Sequence, residues 1–125
     1  MSKTPNLFVP ERRLMMADGQ TVLFRADHRA WLTLERHTGE SLSRFLEAVS
    51  GDVPMRRVYD LAWALSATHR AREQDSSDFE AFLERIPPLS GMGSFLSPLM
   101  ELLGEAFRGE ASSGNAPAPA RPKAR

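Results

Sequence analysis

The sequence predicts a mainly α protein: a compact bundle of about five helices with a small N-terminal β-hairpin and a disordered C-terminal tail. Three observations carry this expectation. Apolar residues recur at helical spacing in five segments between Asp27 and Arg108. One Asp-Gly pair, Asp18-Gly19, lies between two short apolar runs. After Gly109 the chain has no large apolar residue and turns to Ala, Pro, Ser and basic residues. The expected division is one helical domain over 1–110, with its hairpin at 12–25, and a Pro/Ala-rich basic tail over 111–125.

The hairpin comes first. Asp-Gly suits a two-residue type I′ turn, whose central residues both need positive φ. That turn places Ala17 opposite Gln20 and Leu14 opposite Leu23. Leu14, Met16 and Leu23 then share one face, and Met15, Val22 and Phe24 the other. A lone two-stranded hairpin is marginal in water, so it must lie against the helices. Leu7 to Val9 is a candidate third strand.

Asp27 is a suitable N-cap for the first helix, HRAWLTLERHT, and Gly39 a suitable stop; Trp31 and Leu34 share a face. The second helix runs from about Ser41 to Val49, with Leu42, Phe45, Leu46 and Val49 at i, i+3, i+4 and i+7. The third starts with Pro54 at N1 and continues through MRRVYDLAWALSATHRAR. Val58, Leu61, Ala62 and Leu65 form its core stripe, which Tyr59 and Trp63 widen. Ser77-x-x-Glu80 reads as a capping box for the fourth, with Phe79, Phe82, Leu83 and Ile86 buried and Pro87-Pro88 ending it. The fifth runs from about Ser94 to Arg108.

Composition excludes several function classes. There is no cysteine, so disulfide frameworks, thiolate zinc sites and cysteine nucleophiles are excluded. The 16 basic and 16 acidic residues cancel, giving no global attraction to nucleic acid or anionic membrane. The tail from Ala111 carries Arg121, Lys123 and Arg125 and no acid, so it is +3 and the rest is −3. No apolar run approaches a membrane span, and MSKTPNLFVPERR lacks the pattern of a secretory signal. With zero cysteine, these point to the cytosol.

Chemical motifs are sparse. His28 and His37 fall on opposite sides of one helix, and His69 lies near the end of another; no metal-ligand spacing links them. Gly39-Glu40-Ser41 begins like a nucleophile elbow, but Ser43 stands where Gly is required, so it reads as a helix stop and a new start. Gly91-Met92-Gly93 fails as a phosphate loop because Leu96 replaces the last Gly. Arg56, Arg57, Arg70 and Arg72 scatter around their helix among acids, as on a solvated surface. No catalytic, cofactor or metal residue is assigned, and no enzymatic activity is expected.

The last helix holds the best candidate for function. Phe95, Leu96, Leu99, Met100, Leu102, Leu103, Ala106 and Phe107 cover roughly 160° of it, where a terminal helix needs a stripe nearer 100°. Ser97, Glu101, Gly104, Glu105 and Arg108 are left facing away. The surplus, Leu96, Met100, Leu103 and Phe107, is a candidate partner surface, with Tyr59 and Trp63 next.

The stretch TVLFRADHRAWLTLERHTGESLSRFLEAVSGDVPMRRVYDLAWALSATH carries Leu34-Glu35, Thr38-Gly39, Ser41-Leu42 and Leu61-Ala62-Trp63-Ala64-Leu65. In this order it resembles the tail assembly chaperones of long-tailed bacteriophages and related gene transfer agents, over roughly residues 20 to 108. The resemblance implies a non-enzymatic protein of the bacterial host cytosol. It would coat the long amphipathic helices of the tape measure protein until the tail tube polymerises around it, with self-association also open. A frameshifted longer form occurs in many relatives. Two other readings compete: a small helical DNA-binding regulator, against which the neutral charge and scattered arginines count, and an enzyme, for which no site is assembled.

Overall fold

The computed structural model describes residues 9–108. The expected tail over 111–125 lies outside them, as do Leu7 and Phe8 of the candidate third strand; Val9 is not in a strand. The elements are β1 (Glu11–Met15), β2 (Thr21–Arg25), α1 (His28–Thr38), α2 (Leu42–Ala48), α3 (Met55–Leu65), α4 (Ala67–Arg72), α5 (Phe79–Leu83), a 3-10 turn (Leu89–Gly91) and α6 (Gly93–Arg108). The fold is mainly helical with an antiparallel N-terminal hairpin, as the sequence predicts.

The hairpin forms in a different register. Leu14 faces Val22, not Leu23, and Met15 faces Thr21. Met16 N–H donates to the Gln20 carbonyl at 2.8 Å and Gly19 N–H to the Met16 carbonyl at 2.9 Å. Three residues thus make the loop, and of these Gly19 alone has positive φ, at 84°. This is a type I turn followed by a left-handed Gly. It spares Asp18 the positive φ that a type I′ turn would impose. The Asp18 carboxylate instead accepts from Gln20 N–H at 3.0 Å and Arg85 Nε at 2.7 Å. The one-residue shift exchanges faces. Leu14, Val22 and Phe24 now share a face, and Leu23 is buried on the other.

Local capping signals set most of the helix ends. Asp27 accepts from Ala30 N–H at 3.0 Å to start α1, and Gly39, left-handed at φ 73°, ends it. Ser41 caps α2 by accepting from Arg44 N–H. Two expected starts shift by one residue. Pro54 is the N-cap of α3 and not its first residue. Asp78, not Ser77, caps α5, its carboxylate taking the Ala81 N–H at 2.9 Å.

The expected long third helix is two. It breaks at Ser66, where ψ opens to 0°. Ser66 is fully buried and its hydroxyl donates to the Trp63 carbonyl at 2.8 Å. A buried Ser that bonds back to its own helix bends it, and the apolar periodicity does not register this. Six α-helices result among the described residues.

The core lies between the hairpin and the helices. Phe24 meets Phe95 of α6 edge-on at 5.7 Å between ring centres. Phe45, Leu34, Leu61, Leu65, Phe82 and Leu99 are almost fully buried with them. Pro98 sits inside α6, where its ring withdraws one helical N–H. Glu105 does not face away as expected. It is 2% exposed, because Arg12 of β1 reaches it at 2.5 Å. Asp27 also joins elements: it caps α1, accepts from Thr68 Oγ1 of α4 and faces Arg25 Nε at 3.2 Å.

Candidate docking surface

The six residues singled out from the sequence do not form one face. Leu103 is a correction: at 6% exposure it belongs to the core and has almost no free surface. Leu96 and Met100 are half-buried and pack on the core. The wide stripe of α6 is filled because β1 covers one flank of the helix and the 3-10 turn meets its start. Phe107 stays 46% exposed and leans on Trp31 of α1, 5.5 Å between ring centres. Trp63 is enclosed by aromatic neighbours, with Phe82 at 5.5 Å and Phe79 at 5.7 Å. Arg70 covers its ring at 3.4 Å.

Tyr59 lies elsewhere. It forms one wall of an open cleft of about 370 Å³ between α3, α5 and the 3-10 turn. Leu83 and Ile86 line the cleft from α5 and the chain after it, and Pro87, Pro88, Leu89 and Met92 supply the remaining wall. Leu89 is 78% exposed, the most exposed large apolar side chain among the described residues. The helix expected to run to Pro87-Pro88 ends earlier, at Leu83, and the two prolines follow it with the backbone extended, Pro88 at φ −66° and ψ 170°. The 3-10 turn then presents Leu89 at the rim. Sequence reasoning found Tyr59 but missed Pro87, Pro88, Leu89 and Met92, having read them as a terminator and a connection. The available signal was a Leu standing in a Pro/Gly-rich connection.

The polar candidates have structural partners. Arg57 donates to both Glu40 oxygens, at 2.6 and 3.1 Å. This bond lowers the Glu40 carboxyl below its usual range, and Arg44 and Arg56 add to it. Arg70 donates to the Trp63 carbonyl and the Ser66 hydroxyl. Burial pushes its guanidinium down to about 10, far above neutrality. Arg56 and Arg72 are exposed, so the four arginines share no face.

His28 is exposed, His37 bonds Asp60 at 2.9 Å, and His69 accepts from Leu23 N–H at 3.2 Å. Asp60 is 3% exposed, and its Oδ2 has no hydrogen-bond partner among the described residues. Among the described residues, no three His, Cys, Asp or Glu side chains gather as metal ligands. Ser41 serves as a helix cap, and Gly91 and Gly93 flank the start of α6. No helix among the described residues is long and apolar enough to cross a membrane. No family model, curated protein or solved structure matches the chain.

Proposed function

We propose that this protein is a non-enzymatic tail assembly chaperone, which binds the amphipathic helices of a phage tape measure protein and keeps them soluble before the tail tube forms. The observation that supports the reading best is the apolar cleft built by Tyr59, Leu83, Ile86, Pro87, Pro88, Leu89 and Met92. Its open shape suits one or two large side chains from the apolar stripe of a helix laid across it. A long unassembled helix exposes such a stripe and aggregates unless it is covered. The sequence resemblance suggests this partner, and an open apolar cleft is consistent with it. Phe107 and Trp31 form a second, separate apolar patch on the same molecule.

Co-expression with the very long helical protein expected in the same gene cluster tests this. Leu89→Glu and Tyr59→Glu place a carboxylate where an apolar contact is needed. That costs several kcal/mol, enough to abolish a micromolar complex. Both variants should keep the helical circular dichroism of the parent and lose the partner from the soluble fraction. If both stay folded and still hold the partner in solution, the cleft is not the docking site. Met100→Glu and Phe107→Glu then test the α6 face.

A further inference from the structure

Among the described residues β2 is an edge strand, and its outer side is occupied by a side chain from α4. The Leu23 N–H points away from β1 and donates to Nδ1 of His69 at 3.2 Å. A ring nitrogen accepts only when it carries no proton, so this bond requires neutral His69 with its proton on Nε2. Leu23 itself is 3% exposed, held under the same contact.

We propose that His69 is an acid-sensitive latch on the sheet: protonation converts Nδ1 from acceptor to donor, breaks the bond to Leu23 and opens the outer edge of β2 away from α4. The inference is independent of any partner-binding role. Other tethers of the hairpin do not involve His69. Ala17 N–H donates to the Arg85 carbonyl at 2.7 Å, and Arg12 binds Glu105. The hairpin therefore stays attached while one edge opens. A freed strand edge is a template for pairing with another extended segment, which the latch forbids at neutral pH.

The charged groups around His69 come from each element packed there. Glu73, one turn on from His69, and Asp75 favour its protonated form. Arg13, opposite Leu23 on β1, and Arg85, which follows α5, oppose it. Burial is the largest influence and holds the imidazole below its ordinary value of 6.5. The sign follows from linkage. The latch contributes fully above the unfolded value of 6.5 and is lost as pH falls through the lower folded value.

Two NMR measurements on the full chain decide it. Long-range nitrogen–proton spectra at pH 7.5 should show His69 with bare Nδ1 and protonated Nε2. With the folded His69 pKa read from its ring shifts in the same titration, protection of the Leu23 amide, corrected for intrinsic exchange, should fall about fivefold or more as pH drops from 7.5 through that value, the scale of one lost hydrogen bond. The inward-facing amides of Val22 and Phe24 should change less. In His69→Asn the side-chain oxygen can accept the same N–H without titrating, so Leu23 protection should become independent of pH in this range. A proton on Nδ1 at pH 7.5 would overturn the proposal, whether or not the Asn variant folds. So would equal pH dependence in parent and variant.

Discussion

Replacing Arg12 with Leu should be among the costliest single changes outside the apolar core. Arg12 of β1 meets Glu105 of α6 at 2.5 Å, and the Glu105 side chain is 3% exposed. Its second oxygen, Oε1, is buried with no hydrogen-bond partner among the described residues, where Arg12 is the one cation bonded to the carboxylate. A buried charge left unpaired costs about 3–5 kcal/mol. Arg12 is itself partly exposed, so the expected loss is at the lower end of that range, about 3 kcal/mol. The reverse change is cheaper. Glu105→Leu removes the unpartnered oxygen, while Arg12 is 28% exposed and keeps water and Glu101, 3.9 Å away. We expect a loss under about 1 kcal/mol. Arg12→Leu/Glu105→Leu should lie within about 1 kcal/mol of the parent, because an apolar pair of similar size replaces a buried ion pair at little cost. Urea unfolding of the four proteins closes a double-mutant cycle with a coupling of about 2 kcal/mol or more. Additive single changes, or an Arg12→Leu midpoint equal to that of Glu105→Leu, would refute the reasoning.

Gly19 has φ 84° and open space around an added Cβ, so Gly19→Val should lower stability by about 1–2 kcal/mol through backbone strain alone, read from the urea midpoint. Gln74 ends α4 at φ 55°, with Asp75 N–H bonding the Arg70 carbonyl at 2.8 Å and Gln74 N–H the Ala71 carbonyl. Gln74→Gly should therefore raise stability by about 0.5–1 kcal/mol in the same assay, the relief of strain exceeding the entropy added to the unfolded chain. Asp18, Glu40 and Asp75 all have lowered carboxyl pKa values, the first held chiefly by Gln20 N–H, the second by Arg57 and the third by Ser77. Their contribution is complete above the ordinary carboxylate values and is lost as pH falls through the lowered ones, so thermal midpoints should drop below about pH 4 and Asp75→Asn should flatten that drop.

The features legible in the sequence were those decided within a few residues. Asp27, Gly39 and Ser41 cap their helices by bonds to backbone groups at most four positions away. The Asp18-Gly19 pair announced a hairpin but fit two loops of different length, and that one residue decided which of Val22 and Leu23 faces Leu14. The break at Ser66 was hidden because Val58, Leu61, Ala62 and Leu65 keep helical spacing up to it. Glu105 could not be placed, since its burial depends on a residue 93 positions earlier. The cleft was half legible for the same reason. Tyr59 is visible on its own helix, but the opposite wall comes from a proline-rich connection some thirty residues further along.

The pairing of β1 with α6 also sets a timetable for synthesis. Leu14, Val22 and Phe24 turn toward a helix that leaves the ribosome roughly 80 residues later, about 4–16 s at ordinary elongation rates. A nascent chain that has reached only α5 carries that apolar hairpin face uncovered. The hairpin therefore closes only once α6 has emerged, even though each helix can form as it leaves the ribosome. The search for this distant contact makes folding slower than helix content alone implies. Ribosome-stalled chains ending at residue 92 should be cut by protease within the hairpin, whereas chains carried through α6 and clear of the exit tunnel should resist.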